Sequence, residues 1–160
     1  MTIKASDTLL YDQDFNLWLE TMASCLKENK LEELDFENLA EEIQSINHIE
    51  KGILRENLVI ILMHFLRWKY LPETWSNNWK IMIDQSRKKI YQCLLQSPSL
   101  REHFHNILGE CYNHARKMVA IETGASGEIF PETNPFAEDE ILDRTFLPDG
   151  FFPQYYEDYN

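Results

Sequence analysis

Apolar residues recur at three- and four-residue steps through long stretches of the chain, and proline and glycine fall between those stretches. Phe15, Trp18, Leu19, Met22 and Leu26 form the first period, which predicts a helix with Asp12 as its cap, fading at Asn29 and Lys30. Asp35 is placed to cap a second helix, with Leu34 and Leu39 at the positions of a hydrophobic staple. No proline interrupts this helix before Pro72, so it could run to Leu71, and the weak helix formers Asn47, His48 and Gly52 predict a kink or break within it. Trp79, Met82, Ile83, Ile90 and Leu94 carry a third helix that ends near Gln96. Ser97 followed by Pro98 is a start signal for a fourth over Ser99 to Thr123, closed by Gly124 in a left-handed conformation. Asn134 and Pro135 repeat the start signal for a short fifth helix to about Asp143, and Phe146 to Pro148 should dock as an apolar clip. These periods predict an all-α fold, a four-helix antiparallel bundle-like domain over residues 1–148 with a short fifth helix. Residues 149–160 read as an aromatic, acidic and poorly ordered tail.

Composition narrows the function classes more than it names one. At 160 residues with 44% hydrophobic and 26% charged, the chain has ordinary globular usage and the length of one domain. The 27 acidic residues against 15 Lys and Arg give a net charge of −12, which opposes binding to a polyphosphate backbone, so nucleic acid is not expected as the primary partner. The longest uninterrupted apolar run, Leu58 to Met63, is far short of a bilayer span, and residues 1–7 lack a signal-peptide pattern, so a cytoplasmic location away from membranes is expected. Cys25, Cys93 and Cys111 are odd in number and widely spaced, as for buried thiols rather than a disulfide framework. Charge is uneven along the chain: residues 72–117 carry 4 acids and 7 bases, and residues 118–160 carry 10 acids and 1 base. The acidic C-terminal third could therefore lie over the basic turn Arg87, Lys88 and Lys89, although a solvated charged face explains the same pattern.

One polar column stands out. Alternate steps of four and three from Leu39 give Ile43, Ile46, Glu50, Ile53, Asn57, Ile60 and His64, a seam expected to face the core. Glu50, Asn57 and His64 would then stack on a buried face, where each unpaired polar group costs roughly 1 to 3 kcal/mol and needs a partner. Arg87 on the third helix and Glu122 on the apolar stripe of the fourth are candidate partners. As chemistry, the column offers His64 with Glu50 or Glu122 as an acid–base pair. Arg87, Asn57, Trp68, Tyr70 and Trp79 would be the ligand-binding residues, with Trp75 as a further wall. As structure, it is a buried network that fixes helix register. Glu110 and His114, one turn apart, form the one feasible local metal pair; His103 cannot join them from the same helix, and His48 and His105 add nothing firmer. No phosphate loop, nucleophile elbow, zincin motif or calcium loop is present in the sequence, and no cofactor is expected.

The run Tyr11-Asp12, Asp14-Phe15 and Trp18-Leu19 is followed by Glu37 to Ile43, then His64 to Trp68 with Tyr70 and Pro72. Ser97 to Arg101, Glu122 to Gly124, Phe130-Pro131 and Phe146 to Pro148 complete a collinear set over most of the chain. This set resembles the bacterial domain-of-unknown-function family numbered twenty-nine. The resemblance implies an all-helical cytoplasmic fold, abundant in cyanobacteria and often present as many paralogues, and it implies no activity. Arg67 stands where the family more often has lysine, and Asn47 where it usually has glycine. The functional expectation is an acidic protein-binding or regulatory module, antitoxin-like or an accessory factor, whose partner is another cytoplasmic protein. The alternative is a small hydrolytic enzyme or ligand-binding protein built on the column around His64 and Arg87.

Overall fold

A computed structural model describes residues 10–148. The aromatic tail at 149–160 lies outside the described residues. The described chain is all-α: α1 Phe15–Lys27, α2 Phe36–Tyr70, α3 Asn78–Gln96, α4 Leu100–Thr123 and α5 Glu138–Leu142, with single 3-10 turns at Leu31–Glu33, Pro72–Thr74 and Gly127–Ile129. No strand occurs among the described residues, and none of their helices is long and apolar enough to cross a membrane. The chain divides into two compact units, residues 1–49 and 50–160.

In the first unit, α1 is capped by Asp14, whose side chain accepts from the Leu17 amide, and not by Asp12 as the sequence suggested. Asp14 is the residue next to the first apolar turn, so its carboxylate reaches an orphan amide that Asp12 cannot. The other end closes on Asn29 at φ 56, with the Lys30 amide returning to the Cys25 carbonyl. Asp35 caps α2 as expected, accepting from the Asn38 amide at 3.3 Å, and its second oxygen takes the Trp18 indole at 3.3 Å. Tyr11 adds a 2.6 Å bond to Glu42, so α1 and the start of α2 run antiparallel. Among the described residues of this unit, burial is confined to Trp18, Met22 and Cys25.

α2 continues unbroken through residues 47–52, which corrects the expected break. Asn47, His48 and Gly52 each cost less than about 1 kcal/mol in a helix, too little to interrupt one anchored at both ends. The boundary between the two units falls there instead.

The second unit holds the main core. Leu54, Leu58, Ile61, Leu62, Phe65 and Leu66 of α2 meet Ile83 and Ile90 of α3 and Phe104, Cys111, Ala115 and Val119 of α4. Pro72 ends α2, and the left-handed Gly124 at φ 70 ends α4, both as the sequence predicts. The start of α4 differs. The Ser97 hydroxyl does not cap it but donates to Glu50 Oε2 at 3.1 Å.

From Gly124 onward the chain lies across this core as a strap. The Tyr112 hydroxyl donates to the Pro131 carbonyl at 2.6 Å and Arg116 to the Gly127 carbonyl at 3.1 Å. Phe136 and Phe146 meet the Phe65 ring edge-on at 5.1 and 5.7 Å. The expected clip at Phe146 is thus in place, while α5 begins only at Glu138. Asn134 forms a local turn to the Phe136 amide rather than a helix cap, so the helix loses its expected first turn.

Candidate functional site

The polar column is placed by the heptad spacing of α2, but only its C-terminal part is buried. Asn57 and His64 lie in the core, Glu50 is half-buried, and Ile43 and Ile46, expected to face the core, are 66% and 61% exposed. The reason is local: the packed core of α2 begins at Leu54, so the seam's first turns have nothing of the core to meet. Asn57 spends its amide on the Ile53 carbonyl one turn back at 2.8 Å, and its own oxygen has no hydrogen-bond partner.

His64 is 9% exposed, and its Nδ1 is buried without a hydrogen-bond partner. Burial, and secondarily the Arg67 charge, hold its pKa down at about 4, so the ring is neutral at pH 7. The ring sits 6.1 Å from that of Trp79, which in turn lies 6.2 Å from the buried Trp68. Tyr70, half-buried, packs edge-on against Phe130 at 6.0 Å, and burial raises its hydroxyl pKa. Trp75 is half-buried against the same core.

The acids expected beside His64 are engaged elsewhere. Glu50 accepts from Ser97, and Glu122, exposed at the end of α4 rather than on its buried stripe, forms an ion pair with Arg67. Arg87 is buried with only 3% of its surface exposed, yet it does not meet Glu50 or Glu122. Its Nε donates to the Ile141 carbonyl at 2.8 Å and one terminal nitrogen to the Glu140 carbonyl at 2.9 Å, while the guanidinium lies 5.3 Å from the Phe65 ring centre. The guanidinium therefore answers the carbonyl end of α5, where the helix dipole is negative. Desolvation lowers its pKa, opposed by Asp84 and Asp143.

Glu110 pairs with Arg55 at 2.7 Å, which lowers its pKa, and His114 is exposed one turn away. Among the described residues no three His, Cys, Asp or Glu side chains converge as a metal ion requires. Cys25 and Cys111 are buried and Cys93 is half-buried, all as free thiols.

Residues 10–147 match the family described as Domain of unknown function DUF29. The chain belongs to the DUF29 family. No curated protein and no solved structure matches it. The collinear segments quoted from the sequence lie within this match, except for Pro148 at its edge, and the matched residues fall in both units.

One further constellation of this DUF29 domain escaped the sequence reading. Glu138 at the start of α5 bridges Arg101 at 3.3 Å and His105 Nδ1 at 2.8 Å, both on α4. With Pro98, Ser99 and Glu102 they line an open groove of about 540 Å³. The spacing of Arg101 and His105, one turn apart, was visible in sequence, whereas nothing local ties them to an acid 33 residues later.

Proposed function

We propose that this DUF29 chain is an acidic protein-binding or regulatory module whose partner is another cytoplasmic protein. The observation that carries this reading is the division of labour between the two units. In the second unit, the charged side chains of the candidate sites are committed to the fold, Arg87 to two carbonyls, Glu122 to Arg67, Glu110 to Arg55 and Glu50 to Ser97, and the unpartnered His64 is held neutral by burial. In the first unit, apolar side chains are left uncovered, which is the ordinary mark of an interaction surface. The net charge of −12 supports a basic rather than an acidic partner.

The alternative, a small hydrolytic enzyme or ligand-binding protein, would need His64 to exchange protons near neutrality beside a carboxylate. The ring's pKa near 4 and the engagement of Glu50 and Glu122 favour the binding module over it.

Affinity capture with the full chain from its native cell, read by mass spectrometry, tests the proposal. The expected result is a protein retained in stoichiometric amount and displaced by free chain. Retention of no protein, together with a thermal shift by small anions that His64→Gln or Arg87→Met abolishes, would transfer the assignment to the enzyme or ligand reading.

A further inference from the structure

The first unit pairs two helices over a very small core. Among its described residues only Trp18, Met22 and Cys25 are buried, whereas the core of the second unit draws on α2 from Leu54 onward, on α3, on α4 and on the strap. Polar bonds join α1 to the start of α2: the Trp18 indole to Asp35 at 3.3 Å, the Asp35 amide to the Met22 sulfur at 3.3 Å and Tyr11 to Glu42 at 2.6 Å. The rings of Tyr11 and Phe15 pack against Trp18 at 4.8 and 5.8 Å. Beyond this contact α2 is bare, with each of residues 43–49 exposed to water, Ile43, Ile46 and Ile49 included. A segment with so few buried side chains and so many solvated backbone bonds belongs to the low end of local stability.

A gap of coil inside a helix needs a new nucleus, which is roughly a thousandfold unfavourable, so α2 runs on unbroken while both of its ends are anchored. Loss of the first unit changes this. With α1 detached, residues 36–49 become a free helix end, and an end frays residue by residue with no nucleus to form. Fraying stops where packing starts, at Leu54, one turn beyond the bond that Ser97 gives to Glu50. We infer that the first unit is an order–disorder switch: α1 and residues 36–49 of α2 unfold as one cooperative unit while the second unit stays folded, so that α2 shortens from its N-terminal end. Its latch is concentrated in one residue pair, since Asp35 caps α2, takes the Trp18 indole and gives its amide to Met22. Whatever binds the ordered form holds the switch closed, and whatever removes the Trp18–Asp35 pair opens it. The switch needs no protein partner to exist and so stands apart from the binding reading above.

The test is native-state hydrogen exchange of the full chain, read by mass spectrometry in rising urea below the global transition. Amides of α1 and of residues 38–49 should exchange together, with one shared urea dependence, and about a hundredfold or more faster than those of residues 58–66. Trp18→Ala should remove the protection of α1 and of residues 38–49, and should leave exchange in α3, α4 and residues 58–66 within about twofold of the wild type. Asp35→Ala keeps the indole ring but removes its acceptor and the cap of α2, and should speed exchange in the same two segments. Amides of α1 as slow as those of residues 58–66 would overturn the switch, and so would unchanged exchange in Asp35→Ala. A Trp18→Ala protein that loses protection in α3 and α4 would overturn it as well, because the second unit would then not stand without the first. Separate urea dependences for α1 and for residues 38–49 would do the same, since segments that open independently are fraying ends and not one switch.

Discussion

His64→Gln is the most direct probe of how dry the polar column is. The native ring binds a proton only near pH 4, while an unfolded histidine does so near 6.5. Its folded-state pKa is depressed, so the stability it supports is fully present above 6.5 and falls as pH drops from there toward 4. Between pH 7 and pH 5 the two binding curves diverge by about 2 kcal/mol, approaching about 3 kcal/mol at lower pH. Other groups titrate in this window as well, but they are shared by wild type and variant and cancel in the difference. Urea unfolding of both proteins across that range should therefore show the wild type losing about 2 kcal/mol more than His64→Gln. Parallel pH profiles would mean that the native ring accepts its proton as easily as the unfolded one, and the description of a neutral, desolvated imidazole beside Trp79 and Arg67 would be wrong.

Arg87→Lys keeps the charge but cannot serve two carbonyls with a planar fork; it should cost about 2 kcal/mol and speed amide exchange in residues 138–148, and unchanged exchange there would sink the idea. Trp68→Ala, at a site with only 4% exposure, should cost on the order of 3 to 5 kcal/mol in a urea melt, and a change below about 1 kcal/mol would mean that the ring is not part of the core. Gly124→Ala should cost about 1 kcal/mol through backbone strain at φ 70, since nothing lies within 4 Å of the added carbon; an unchanged melting temperature would contradict a left-handed cap.

The helices were legible because each buries an apolar period, and the caps that were read correctly, Asp35 and Gly124, are those whose side-chain chemistry or backbone freedom acts within a few residues. Asp12, expected as the cap, and Asp14, the actual one, satisfy the same local rule, and only the true start of the apolar turn separates them. The break expected at residues 47–52 failed for an energetic reason: three weak preferences are small beside a cooperative 35-residue helix. In the candidate site, the burial of Asn57 and His64 followed from seven-residue spacing. The partner of Arg87 did not, because a carbonyl acceptor exists at every position and leaves no mark in composition. The bridge from Arg101 and His105 to Glu138 was hidden for a different reason: it depends on where the strap returns to α4.

The strap after Gly124 is fastened by Arg87, Tyr112 and Arg116, and each of these side chains grips a main-chain oxygen. A fastening of that kind does not read the side chains of what it holds. Outside the side chains that pack into the core, Phe130, Phe136, Ile141 and Phe146, and outside Glu138, which pairs with Arg101 and His105, the exposed residues of the strap are free to drift in sequence without coming loose, while the three residues that grip it are not. Random mutagenesis of this protein should therefore meet tolerance in the held segment and intolerance in its holders, an asymmetry between two surfaces in contact. New surface chemistry can be tried on the strap at little risk to the core beneath it.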